Sequence, residues 1–200
     1  MIFARQLGLL SLACALGSCA LAQPGIHELQ VPPVRIIQKG YSLLPRNEAG
    51  WRILRRGPKN LALMRRGDKP DETFAIEAAV LELPRFTSNE ELIRLVKDAE
   101  SANSDPSRFE MHVHEVGPAS DTDTSCIRSH MVAIDRAAKT PSGNIRFMML
   151  EKLTMVCVHP KNNSIGISIA YSRRNYPGQR DSLFHARASS VLNRIEFNEP

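Results

Sequence analysis

The sequence predicts an α+β fold: a largely antiparallel β-sheet of about seven or eight strands with two helices packed on it. Three observations carry that expectation. Short runs rich in Ile, Val, Leu and Phe recur between clusters of Gly, Pro, Asn and Asp along most of the chain. Two segments, at 87–103 and 181–197, instead repeat their apolar residues at helical spacing. The connections are mostly of hairpin length, which favours antiparallel neighbours. With 200 residues, 42% hydrophobic and 24% charged, the composition suits one globular domain and excludes a mainly disordered chain.

The chain opens with MIFARQLGLLSLACALGSCALAQ, in which Arg5 precedes an uncharged apolar run at 7–16 and then small residues. That is the layout of a secretory leader, and the run is short for a permanent bilayer span. Two processing signals overlap. ALA before Gln23 suits cleavage after Ala22, whereas LGSC, ending at Cys19, resembles the bacterial lipobox, whose cysteine is lipidated and becomes the new N-terminus. The lipobox is the favoured reading because a Pro-containing stretch follows the apolar core, and either route exports the chain. The expected divisions are a signal peptide and lipobox region at 1–22, a tether or edge segment at 23–39, and a single α+β domain at 40–200.

Within the domain, short strands are expected at 41–44, at WRILR from Trp51 and at LALMRR from Leu61, the last two joined by the turn GPKN. GDKPDE then breaks the chain before a longer strand at 74–83. Ser88 and Glu91 form a capping box that opens a helix, with Leu92, Leu95, Val96 and Ala99 on one face. The polar loops SDPSR and GPASDTDTS bracket the strand RFEMHVHEV, and a long hairpin at 125–158 follows. In IGISIAYS, Ile165, Ile167, Ile169 and Tyr171 alternate with small residues, so one face is buried and the other is wet. Finally, Phe184, Ala188, Val191, Leu192 and Ile195 lie on one helical stripe.

The long hairpin carries the cysteine argument. Cys14 and Cys19 belong to the leader region, leaving Cys126 and Cys157 as an even pair, which favours a disulfide in an exported chain. TPSG at 140–143 is turn chemistry. Facing residues of an antiparallel pair have a constant sum of positions: a turn centred between Pro141 and Ser142 gives 283, and 126 with 157 also gives 283. Pro at the first central position excludes the type I′ turn of two-residue hairpins. A three-residue loop with a bulge shifts the sum to 284 and puts the cysteines on opposite faces, while a four-residue loop or a compensating bulge keeps 283. The alternative to the bridge is two reduced, buried thiols. No C-x-x-C spacing marks a catalytic redox pair.

HVHE is the most suggestive short motif. In a regular strand His112 and His114 share a face, a geometry that can hold a transition metal if His130, His159 or a carboxylate across the sheet supplies a third ligand. The plainer account is a wet strand face opposite Met111 and Val113. Charge offers a second candidate. The formal balance is +5, and removing the leader removes only Arg5. Arg52, Arg55, Arg56, Lys59, Arg65 and Arg66 crowd one expected hairpin, as a patch for anionic lipid, lipopolysaccharide or an acidic protein, or as edge-strand charge that blocks sheet pairing. Arg173 and Arg174 form a smaller basic spot, either bordering a loop-built groove or, as the plainer account, exposed at a strand-end turn. There is no G-x-S-x-G elbow, phosphate loop or H-E-x-x-H, so no cofactor is expected. Export and an aromatic content of 6% argue against nucleic acid as a partner.

Gly50-Trp51 after an early strand, a first hairpin, a capped helix, a cysteine strand answered by CVHP, then IAYSRR and a closing helix ending VLNRIEF together resemble small, mostly uncharacterised bacterial envelope lipoproteins, over residues 40–200. More distantly, the layout is similar to the PsbP-like fold of photosystem extrinsic subunits, a sandwich. The resemblance implies a binding or assembly role without enzymatic activity, and it carries over the cysteine pair at 126 and 157. The expected protein is a non-enzymatic envelope lipoprotein, in the periplasm or anchored through Cys19, that meets an envelope protein or an anionic surface component. The alternatives are a metal-binding protein or metal-dependent enzyme using His112 and His114, and an anionic-surface binder using the basic hairpin.

Overall fold

The computed structural model describes residues 27–119, 125–140, 143 and 145–200. The leader, with Cys19 and Ala22, and the turn residues Pro141 and Ser142 lie outside the described residues. The elements, in chain order, are β1 (Ile36–Gln38), β2 (Tyr41–Leu43), β3 (Arg52–Arg56), β4 (Asn60–Arg66), β5 (Thr73–Glu82), α1 (Asn89–Ala102), β6 (Phe109–Pro118), β7 (Cys126–Lys139), β8 (Ile145–His159), β9 (Asn162–Asn175), α2 (Phe184–Leu192) and β10 (Ile195–Phe197). The fold is α+β, as the sequence predicts. A seven-stranded sheet runs β3-β4-β5-β9-β8-β7-β6, and a three-stranded sheet runs β1-β2-β10. Every pairing in both sheets is antiparallel.

Alternation along the long strands sorts side chains into two layers. On one face of the large sheet, Ile167, Ile169 and Tyr171 of β9 join Leu153, Met155 and Cys157 of β8, under Phe184, Ala188, Val191 and Leu192 of α2. Tyr41 and Leu43 of the small sheet close the same core. Trp51 sits against Tyr171 with ring centroids 6.4 Å apart, placed by Gly50 at φ +87°, a left-handed backbone that favours glycine. On the opposite face, Leu92 and Val96 of α1 pack on Ile127, Val156 and Val158. The Ser88 Oγ accepts from the Glu91 N–H at 3.2 Å, and the Glu91 carboxylate reaches back to the Thr87 N–H at 2.8 Å, so the predicted cap begins the helix.

Three expectations change. First, β1 falls inside the segment read as tether or edge, and Leu29 N donates to Trp51 O at 2.7 Å, so the folded part starts upstream of residue 40. The buried–exposed–buried pattern of Ile36–Gln38 is three residues long, too short to stand out beside Pro32 and Pro33. Second, α2 stops at Leu192, with Asn193 as its C-cap. Ile195 therefore lies in β10, opposite Leu43 of β2, instead of extending the helical stripe. Third, the strand expected at 41–44, β2, gains two unexpected neighbours, β1 and β10, and with them forms a separate small sheet.

The β7–β8 ribbon resolves the open question of register. Next to the turn, Lys139 faces Ile145 and Ala138 faces Arg146, the slipped alignment. A bulge between Asp135 and Ala138 then absorbs one residue, and from Asp135↔Met148 onward the pairing runs in step to Cys126↔Cys157. The Ala137 N–H freed by the bulge donates to Asp135 Oδ1 at 3.1 Å. Arg108 grips both oxygens of the same carboxylate at 2.8 and 2.9 Å, and Arg174 Nε donates to it at 3.2 Å. The cysteines are bridged, with Cα atoms 4.0 Å apart. Val158 N donates to Ser125 O at 3.0 Å, which makes 126 and 157 the close, non-hydrogen-bonded kind of pair.

Candidate functional site

The chain crosses from β5, in the middle of the large sheet, to β6 at its edge through α1, which lies over β6 and β7. Beside the helix the sheet floor is built largely from short side chains: Ala75 and Ala79 of β5, on either side of Glu77, and Ser168, Ala170 and Ser172 of β9. The three from β9 are the small residues that alternate with the Ile and Tyr of IGISIAYS, so the face expected to be merely wet is the floor of a cleft. These short residues leave a gap beneath the helix, whereas Lys152 of β8, on the same face, reaches Glu100 of α1 at 3.6 Å. A groove of about 730 Å³ results, walled by Leu95 and Ala99 of α1, by Leu81 near the end of β5 and by Leu83 just after it. The volume lies in the range of small-molecule sites.

Polar groups enter this groove at one end. Glu100, in the last turn of α1, accepts from the Ser129 hydroxyl and lies 3.0 Å from His114 Nε2 and 3.6 Å from Lys152 Nζ. Burial pushes its carboxyl upward, but the Ser129 hydrogen bond, the Lys152 charge and His114 together hold it below the usual carboxylate range. Its second oxygen, Oε1, is the one that faces Lys152 Nζ and accepts no hydrogen bond among the described residues, and the hydroxyl of Thr154, which is only 5% exposed, has no hydrogen-bond partner among them either. Thr154 and Lys152 stand two residues apart on the strand face that floors the groove. A buried hydroxyl with no hydrogen-bond partner among the described residues, a Glu–Lys pair too long for a hydrogen bond and an apolar trough form a site for a molecule with an apolar body and a hydrogen-bonding head.

The sequence candidates fare unevenly. His112 and His114 do not form a shared site: β6 bulges between Met111 and Val113, so the strict alternation that puts them on one face is lost. His112 Nε2 lies 3.6 Å from Glu110, while His114 turns to Glu100 on α1. His159 is buried, accepts at Nδ1 from Lys161 N at 3.2 Å and donates through Nε2 to Asn198 O at 2.9 Å, which makes it a tie to the C-terminal segment. His130, offered as a third ligand, instead joins Glu151 and His185 on the α2 side of the sheet. That grouping crosses three elements and has no local signature.

The basic hairpin is divided between the two faces. Arg52 and Arg55 stand opposite Met64 and Ala62, on the groove side, whereas Arg56 and Arg65 stand opposite core residues Leu61 and Phe74. Arg65 stacks over the Phe74 ring at 4.9 Å, Lys59 pairs with Glu82 at 3.3 Å and Arg52 with Glu28 at 3.4 Å. Arg66 is exposed. The split arises because alternation sends neighbouring strand residues to opposite faces. Arg173 departs furthest from expectation: it is 2% exposed and donates through Nε to Glu72 at 2.7 Å. Its neighbour Arg174 lines the groove.

Among the described residues, no helix is long and apolar enough to cross a membrane. No protein-family profile matches the chain, and no curated protein matches its sequence.

Proposed function

We propose that this chain is a non-enzymatic, exported protein of the bacterial cell envelope, anchored through Cys19 or released after Ala22, whose disulfide-stapled domain is a binding module. Its ligand site is the groove between α1 and the small-residue floor, and its ligand is a small amphipathic molecule of the envelope. The observation that carries this reading is the groove of about 730 Å³ with the Thr154 hydroxyl, which has no hydrogen-bond partner among the described residues, and the Glu100–Lys152 pair at one end. Interiors normally close such gaps, because lining atoms that face nothing lose their dispersion contacts. The apolar body would lie along Leu95 and Leu81, and the head would meet Glu100 Oε1, Thr154 Oγ1 and Lys152. Because Lys152 and Glu100 balance each other, the site favours a neutral, hydrogen-bonding head. The disulfide supports export, since a structural bridge persists in an oxidising compartment. The likeness to envelope lipoproteins, and more distantly to the PsbP-like fold, supports a binding or assembly role.

Native mass spectrometry of the protein isolated gently from envelopes tests this. A co-purifying small molecule is expected on the wild type and not on Ala170→Leu, which raises the groove floor. An empty wild-type protein that also fails to bind a solvatochromic apolar dye would remove the reading. Intact mass decides the anchor: a diacylglyceryl adduct at Cys19 supports the lipoprotein, and an unmodified start at Gln23 the released form.

A further inference from the structure

We propose that His130, Glu151 and His185 form a binding site for a divalent transition-metal ion, zinc foremost, on the α2 side of the sheet, remote from the groove. His130 comes from β7, Glu151 from β8 and His185 from the first turn of α2. The Nε2 of His130 lies 3.3 Å from Glu151 Oε1 and the Nε2 of His185 lies 3.9 Å from the same oxygen. The ligating atoms of all three lie within 4.8 Å of one another. Ligands bound to zinc at about 2.0–2.1 Å in tetrahedral geometry stand roughly 3.3 Å apart, so small rotamer changes bring this set to coordination distance. The two imidazole rings already meet edge to face, with centroids 4.6 Å apart.

The scaffold holds the three ligands in fixed relation. In the β7–β8 register His130 faces Leu153 and Val132 faces Glu151, so the two ligands are diagonal neighbours on one face. The disulfide staples this same ribbon on the same face, and the Asp135 bulge keeps it in step. Phe184, 1% exposed and 5.7 Å from Tyr171, pins the start of α2 and with it His185. Two imidazoles and one carboxylate leave a coordination position open. A pocket of about 370 Å³ adjoins it, lined by His130 and His185 together with Glu115 and Arg128. Glu115 stands directly across the β6–β7 pair from His130, a second carboxylate on the same wall. A donor set of two nitrogens and one oxygen suits zinc, copper, nickel or iron, and not the all-oxygen coordination of calcium or magnesium.

The test is zinc titration of the exported chain in competition with a chromophoric chelator. One zinc per chain is expected, with affinity reduced at least roughly tenfold by His185→Ala and by Glu151→Gln and unchanged by His112→Ala. His185 is 61% exposed in its side chain, so its removal leaves the core packing in place. As a second readout, zinc should raise the Tm of the wild type and of Ala170→Leu but not that of His185→Ala. Because Ala170→Leu blocks only the groove, this result stands or falls apart from the binding-module reading. Absence of zinc binding at micromolar concentration, equal binding by wild type and His185→Ala, or loss of binding in His112→Ala would each overturn the site.

Discussion

Reduction of the Cys126–Cys157 bridge should destabilise the domain by about 3.7 kcal/mol. The cysteines are separated by 31 residues, and cross-linking a loop of that length removes roughly 12 cal/mol/K of chain entropy from the unfolded ensemble. Both residues are buried, at 5% and 1% exposure, so reduction leaves two packed thiols and little change in the core. It therefore isolates the effect on the unfolded state better than substitution does. For a domain of this size the loss corresponds to a fall in Tm of roughly 7–15 °C. The assay is urea unfolding followed by tryptophan fluorescence, with and without dithiothreitol; Trp51 is the chain's one Trp and is buried against Tyr171. The variant with Cys126→Ala and Cys157→Ala should show no response to reductant. If oxidised and reduced forms differ by less than about 1 kcal/mol, the loop-entropy argument fails. If a non-reducing digest of native protein yields both thiols free, the register argument fails with it.

Glu72→Gln should cost about 3–5 kcal/mol in the same assay, because it leaves Arg173 buried without its counter-charge. Gly67→Ala should mimic it in part, since a Cβ there would stand 2.1 Å from Glu72 Oε2 and push the carboxylate off Arg173; a neutral result would show that the pair is dispensable. Asp135→Ala should lower the yield of the correct disulfide in oxidative refolding by releasing the bulge that sets the β7–β8 register, whereas unchanged pairing would mean that the turn alone sets it. Acid should destabilise the fold through Asp135 and Glu100. For Asp135, burial works upward, but the Arg108 hydrogen bonds, the Ala137 N–H and Arg174 prevail and hold the carboxyl below its ordinary range. A folded value below the unfolded one gives stability present above the unfolded pKa of about 4 and lost as pH falls through the folded value, so the urea midpoint should be flat from pH 7 to 5 and drop below about pH 4. A midpoint independent of pH down to 3 would contradict the assigned contacts.

Local pattern carried much of this architecture. The two-residue alternation of β9 and the capping box of α1 depend only on near neighbours, so they are legible in a string of letters. The parity of the cysteines, and the arithmetic that leaves 283 and 284 as the competing sums, are equally local to one ribbon. Where the pattern was short, as in β1, or continuous across a helix end, as at Ile195, pairing with β2 decided the outcome. The bulge of β6 could not be read from HVHE, because a bulge is a property of two strands and not of one.

Chemistry was far less legible than architecture. Sequence by itself determined the α+β class, which faces are apolar, and that Cys126 and Cys157 are natural partners. Only tertiary structure decided which faces meet: that Glu72 reaches Arg173 across 101 residues, that α1 crosses above the small floor of β5 and β9, and that β7, β8 and α2 bring His130, Glu151 and His185 together. The physical reason is that periodicity records the direction a side chain points relative to its own strand or helix, while a site depends on what stands opposite, which is set by chain crossings and by packing between layers.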